Sequence, residues 1–119
     1  MALIKEKMTK FGMPCSYWKI TYISLDNINK YGNVSLGLFY NENSTSYVDY
    51  YTELIDTPKK YNNYFSATAL SHYKNIYEAG YDFIQTFSDF FKDAELIEDN
   101  EEDLEFTNPR FTKTEEVDE

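Results

Sequence analysis

The sequence predicts an α+β fold, in which an antiparallel sheet packs against one helix near the carboxyl end. Up to residue 67, apolar and polar residues alternate in short runs that are joined by hairpin-length polar segments. From Tyr73 to Phe91 the apolar residues instead recur every three or four positions, which is the period of a helix face. The 119 residues suffice for one domain with its own core.

Five strands joined by short turns predict an antiparallel meander, which forms either a sheet or a small open barrel. Lysines in the first strand would protect an exposed edge. In the second, Trp18, Ile20 and Tyr22 are expected to share one face. The clearest alternation is "NVSLGLFYNE", where Val34, Leu36 and Leu38 share a face. The strands are expected within residues 2–11, 15–27, 33–42, 47–55 and 61–67.

The predicted helix begins at Ser71, which is placed as an N-cap without the acidic partner of a capping box. Its apolar stripe is expected to cross the sheet face that carries Trp18 and Leu36. Gly80 lies in this stripe and costs the helix about 1 kcal/mol relative to Ala, which indicates a close approach by the sheet. A further short helical segment is expected within residues 89–97.

Charge divides the chain into a domain, residues 1–99, and an acidic arm, residues 100–119. Residues 1–92 hold nine acidic residues and nine lysines, whereas residues 93–119 hold twelve acidic residues and two bases, which gives the net charge of −10. Apolar residues interrupt the arm, as expected for a segment that lies along a neighbouring subunit. The predicted partner-binding residues are Leu104, Phe106 and Phe111 of the arm, with Tyr81 and Phe90, which lie outside the helix stripe.

Several function classes are disfavoured by composition. No basic patch is present, so direct nucleic-acid binding is not expected. No apolar run is long enough to span a membrane, and the first residues lack the apolar core of a secretion signal, so we expect a protein made in a bacterial cytoplasm and not secreted. Cys15 is predicted to be a buried apolar group, and His72 an ordinary residue near the helix start. We therefore expect no enzyme, no cofactor and no metal site.

Two further patterns leave other functions open. The acidic run could imitate nucleic-acid phosphates and inhibit a DNA-binding enzyme, although its apolar interruptions fit a rigid array poorly. A carbohydrate site could combine the aromatic faces of Tyr47, Tyr50 and Tyr51 with the carboxylate of Asp49. The alternative for these residues is the polar face of a half-exposed strand.

The order of motifs resembles a diffuse family of small bacteriophage proteins encoded among virion and tail genes. In that family a "VSxxLxxY"-like strand precedes a helix "Ala-Tyr-x-Tyr-Leu-Lys" and a "Pro-Glu-Phe-x-Asp-Ala" element. Here "NVSLGLFYNENS" and "AGYDFIQTFSDFFKDAELIED" look like these elements, with Tyr81 at the aromatic position and Phe90 to Ala94 as the last part. The resemblance covers residues 2–99 and departs at Ser88, where the family often has Pro, and in the acidic arm.

The resemblance implies a virion structural protein and supplies no site residues. We therefore predict a component of a tail, neck or baseplate that acts by oligomeric assembly, either with copies of itself or with other virion proteins. The inhibitor and the carbohydrate-binding module remain the alternatives.

Overall fold

The computed structural model describes residues 1–98 and contains a five-stranded antiparallel open sheet covered on one face by helices, which confirms the α+β class. The sheet order is β4-β3-β2-β1-β5, so β4 and β5 are the two edges. The acidic arm lies outside the described residues. The elements in chain order are β1 Ala2–Met8, β2 Pro14–Asp26, β3 Tyr31–Phe39, β4 Asp49–Ile55, α1 Pro58–Tyr64, α2 Ala67–Leu70, α3 Ile76–Phe87 and β5 Glu95–Ile97.

The prediction of a strand at residues 61–67 is wrong, because this segment is helical. Thr57 caps α1 by accepting a hydrogen bond from the backbone of Lys60, and Pro58 stands in the first turn, where its missing N–H costs nothing. The four-residue spacing of Tyr61 and Phe65 then places both rings in the core. The Thr-Pro pair at residues 57 and 58 therefore marks a helix start.

The fifth strand lies instead in the segment predicted to be helical, at β5. This strand pairs antiparallel with β1, with Ala2 opposite Ile97 and Ile4 opposite Glu95. Since β4 and β5 occupy opposite edges of the sheet, the three helices carry the chain across one face.

The long helix begins later than predicted, with Asn75 and not Ser71 as its N-cap. The Asn75 side chain accepts from the backbone N–H of Glu78, and the Glu78 carboxylate accepts from the N–H of Lys74 at 2.7 Å. This reciprocal arrangement is close to a capping box. The helix ends at Phe87, and Phe91 reaches the core from the turn that follows.

The sheet face predicted to form the core does so. Trp18, Val34, Leu36 and Leu38 are at most 1% exposed and pack in one cluster with residues of α3. Gly80 is the point of closest approach, because a Cβ added there would lie 2.8 Å from Cδ1 of Ile20 and 3.2 Å from Cδ1 of Ile23. The prediction that the sheet approaches Gly80 closely is therefore confirmed.

A buried tyrosine fixes α3 to the sheet at one position. The Tyr81 hydroxyl accepts a hydrogen bond from the backbone N–H of Ile20 and donates one to the carbonyl of Met1, both at 2.9 Å. The pairing of Leu3 with Trp18 sets Met1 opposite Ile20, so the hydroxyl bridges β2 and the residue preceding β1. The same stretch of β2 is irregular, since the register with β3 shifts between Ile20 and Tyr22.

We expect Tyr81→Phe to destabilise the fold by about 1–3 kcal/mol, because it leaves the N–H of Ile20 without the hydroxyl that accepts its hydrogen bond. The carbonyl of Met1 retains a contact from the Lys19 ammonium at 3.2 Å. Urea unfolding of the purified variant measures the change. Tyr22→Phe is the matched control, since Tyr22 is 57% exposed, and it should change stability by less than about 0.5 kcal/mol. Equal stability of the two variants would contradict the role given to Tyr81.

Candidate protein-interaction surface

Among the described residues, four large side chains on the sheet face that the helices leave uncovered are exposed to solvent. They project from positions that alternate with the buried Val34, Leu36 and Leu38, as the register of β2, β3 and β4 shows. We call this surface the open face. Its residues are Tyr22, Tyr31, Tyr50 and Leu54, which are 57%, 53%, 69% and 57% exposed.

A row of hydrogen-bonded hydroxyl groups crosses the middle of the open face. The hydroxyl oxygens of Ser35 and Thr52 lie 2.9 Å apart, and the Thr21 hydroxyl donates to the carbonyl of Ser35 at 3.4 Å. These bonds satisfy part of the hydrogen-bonding capacity of the three hydroxyl groups, which lowers the cost of covering them. Tyrosines around a satisfied polar centre are typical of the contact surfaces of assembled proteins.

Tyr22 belongs to the open face because of the irregularity in β2. The expectation that Trp18, Ile20 and Tyr22 share one face is wrong for Tyr22. The register shift after Ile20 sets Tyr22 opposite Ser35 and Ile23 opposite the buried Val34. An extra residue of this kind changes which side chains point to each face. Strict alternation along the sequence therefore could not find Tyr22.

Tyr47, in the loop between β3 and β4, covers a neighbouring part of this sheet face. Tyr47 lies over Gly37, where an added Cβ would be 2.9 Å from the Tyr47 Cβ, and its ring packs edge-on against Phe39 at 6.1 Å. Beneath the loop, Tyr17 and Phe39 form a small second cluster with Ala2, against which Ile4 and Ile97 pack. The open face is thus bounded on one side by packed side chains.

The structure brings together three of the four residues predicted for a carbohydrate site. Tyr47, Asp49 and Tyr50 line a cleft of about 300 Å³ with Lys10 and Val48. Tyr51 lies elsewhere, and its hydroxyl donates to the Glu53 carboxylate. Asp49 already binds the Lys7 ammonium at 2.6 Å, and this hydrogen bond holds the pKa of the Asp49 carboxyl below its ordinary value of 3.8.

A separate cleft opens between the sheet and the turn after α3. It measures about 170 Å³ and is lined by Trp18, Tyr51, Phe90 and Lys7, and we call it the aromatic cleft. Phe91 supports it from beneath, with its ring centroid 5.1 Å from that of Trp18 and 5.2 Å from that of Tyr51. Phe90, one of the predicted partner-binding residues, is therefore half-buried and forms one wall of this cleft.

The other predicted partner-binding residues have different outcomes. Tyr81 is fully buried, so its prediction as a surface contact is corrected and it widens the core instead. The Tyr81 hydroxyl forms hydrogen bonds with backbone groups of Ile20 and Met1, so this tyrosine can be buried although it lies outside the predicted helix stripe. Leu104, Phe106 and Phe111 lie outside the described residues.

Cys15 is buried and His72 is exposed. Within residues 1–98, no three His, Cys, Asp or Glu side chains are grouped in a way that could hold a metal ion. In this same part of the chain, no helix has the length and apolar character needed to cross a membrane.

No protein-family model, no curated protein and no solved structure matches this chain. The function is therefore inferred from the geometry of the described residues.

We expect Lys7→Gln to raise the pKa of Asp49 toward 3.8, because the hydrogen bond from the ammonium is the main cause of the lowered value. A lowered carboxyl pKa contributes stability that is present above 3.8 and is lost as the pH falls through the folded-state pKa. The variant should lose this contribution. Titration of the side-chain carboxyl carbon by NMR measures the pKa directly.

Lys60→Gln is the control for this titration, since Lys60 binds Asp56 at 3.0 Å and lowers the pKa of that carboxyl instead. It should raise the pKa of Asp56 and leave Asp49 unchanged. A wild-type Asp49 that titrates at or above 3.8 would contradict the assignment.

Proposed function

We propose that this protein is a small structural component of a bacteriophage particle, in the tail, neck or baseplate region, and that it acts by oligomeric assembly without catalysing a reaction. Its partners are copies of itself or other virion proteins. The observation that carries the proposal is the open face, a sheet surface with exposed tyrosines and a leucine on the side that the chain's own helices do not cover. The resemblance to small phage virion proteins supports the same function.

Pairing of two open faces is the simplest form of this assembly. Two sheets that pack face to face interdigitate large side chains from each, and a two-fold axis lets one surface serve both subunits. Tyr22, Tyr50 and Leu54 would supply the apolar contacts, whereas the row at Ser35 and Thr52 would lie at the centre with its hydrogen bonds intact. The geometry requires no change in the fold.

The acidic arm is proposed to strengthen the assembly by lying along a neighbouring subunit, with Phe106 and Phe111 as anchors. The described beginning of the acidic run supports contact with lysines. Asp93 accepts a hydrogen bond from Lys5 at 2.8 Å, and Glu98 forms an ion pair with Lys74 at 3.5 Å. These acidic groups therefore pair with cations of the protein, which favours an assembly arm over an imitation of nucleic-acid phosphates.

We expect Leu54→Lys to dissociate the oligomer, because it places a charge within the apolar part of the contact. Light scattering on the full chain at one fixed concentration measures the mass. Ile28→Lys is the matched control, since Ile28 is 85% exposed and lies in the turn between β2 and β3, away from the open face. The control should keep the wild-type mass. A wild-type monomer at high concentration, or an oligomer that survives Leu54→Lys, would contradict assembly through the open face.

A carbohydrate-binding module is the second candidate, favoured by the cleft that Tyr47, Asp49 and Tyr50 share. An aromatic ring beside a carboxylate suits a sugar, which offers both C–H faces and hydroxyl groups. If this is the function, the protein binds purified bacterial cell-wall glycan and Tyr50→Ala abolishes the binding, whereas Tyr22→Ala does not. Absence of glycan binding by the wild-type chain would remove this candidate.

A further inference from the structure

The aromatic cleft has the size and the lining of a site for one aromatic side chain. Its volume is about 170 Å³, and three of its four lining residues are aromatic. An apolar protein cavity of about 150 Å³ is enough to hold benzene. The rings of Trp18 and Phe90 meet at 73° with centroids 5.9 Å apart, so they form two walls of a corner with an apolar interior.

Two lysine ammonium groups stand beside the cleft, each of them already bound to one carboxylate. Among residues 1–98, Lys7 is the one charged residue that lines the cleft, and the Lys5 ammonium lies 5.5 Å from the centre of the Phe90 ring. The carboxylates nearby have partners, since Asp49 binds Lys7, Asp93 binds Lys5 and Glu53 accepts from Tyr51. Each ammonium has three donors, so both lysines can bind a further carboxylate. The cleft therefore suits an aromatic residue flanked by acidic residues.

The acidic arm contains such a residue. Phe106 follows "EEDLE", whereas Phe111 stands between Arg110 and Lys113, two bases that the lysines at the cleft would repel. The two phenylalanines of the arm thus differ in the charge of their neighbours. Only Phe106 carries the acidic flank that complements Lys5 and Lys7.

The length of the arm allows this contact. Ile97 pairs with Ala2, so the described chain ends beside the start of β1, whereas Lys7 lies near its other end. The distance along β1 is about 17 Å at 3.3 Å per residue. Phe106 comes eight residues after Glu98, and an extended chain of that length spans about 26–29 Å. The segment is therefore long enough to reach the cleft of its own chain.

We infer that the aromatic cleft is the docking site of the carboxyl-terminal arm, with Phe106 packed against Trp18, Tyr51 and Phe90 and its acidic neighbours bound by Lys5 and Lys7. The inference rests on the proposed function in one respect, namely that the arm comes from a neighbouring copy. If the arm docks within its own chain, the cleft is still its binding site, but the contact between copies is absent. The contact is electrostatic at its rim, so it weakens as the salt concentration rises.

Paramagnetic relaxation in the full-length chain tests the docking. A nitroxide label is attached at Asn108→Cys in a Cys15→Ala background, and the backbone amide signals of residues 7 and 90 are followed by NMR. Docking predicts a loss of intensity at both amides, which Phe106→Ala abolishes and which Phe111→Ala, the matched control, leaves in place. A nitroxide at Ile28→Cys in the same background is the second control, since it would detect contact between the cleft and a different part of the surface. It should leave both signals unchanged.

A mixture of isotope-labelled chain without nitroxide and unlabelled chain with nitroxide separates the two sources of the arm. Intensity loss in the mixture supports docking between copies, with the arm of one subunit lying along its neighbour. Intensity loss that occurs only when the label and the isotopes are in the same chain supports the docking site and contradicts docking between copies. Unchanged amides at residues 7 and 90, or a loss that depends on Phe111 and not on Phe106, would overturn the inference. The inference would also be overturned if the chemical shifts of these amides changed with protein concentration while the nitroxide had no effect. In that case the body of a second copy would occupy the cleft.

Discussion

One buried hydroxyl group ties the long helix to the sheet and sets its position. Tyr81 supplies an acceptor to Ile20 and a donor to Met1, where β2 begins to lose its regular register. A helix covering a sheet needs only apolar contact, but contact alone does not fix its position along the strands. The hydroxyl does so, because buried backbone groups must find partners and a displaced helix would leave the N–H of Ile20 without this one. Gly80, the preceding residue, allows the approach that the bond requires.

The irregularity in β2 also shapes the outer surface. Because the alternation changes after Ile20, Ile23 points into the core and Tyr22 points away from it. The helices cover one face and cross from one sheet edge to the other, and the chain has no further helix within residues 1–98 to cover the second face. The same stretch of backbone therefore fixes the helix on one side and exposes a tyrosine on the other. The open face follows from the way the core is closed.

Sequence patterns predicted the parts of this structure that obey a simple period. The strand with Val34, Leu36 and Leu38 and the helix stripe around Gly80 were found because each keeps one period throughout. Residues 61–67 were missed because aromatic residues suit strands, whereas the helix is decided by the cap at Thr57 and by packing of the core. Strand β5 has three residues, too few to show a period, and exists because β1 offers it an edge. The open face required the cross-strand register, and the aromatic cleft required tertiary contacts, so neither was visible in the sequence.

In the proposed assembly, the open face becomes buried against a neighbouring subunit. Hydroxyl-radical footprinting with mass spectrometry reports the exposure of individual tyrosine and leucine side chains, and it can be run on the full chain at a low and at a high concentration. Assembly through the open face predicts that Tyr22, Tyr50 and Leu54 lose reactivity at the higher concentration, whereas Ile28, in the turn between β2 and β3, stays as reactive as before. Unchanged reactivity of these three residues in a sample that light scattering shows to be oligomeric would contradict it.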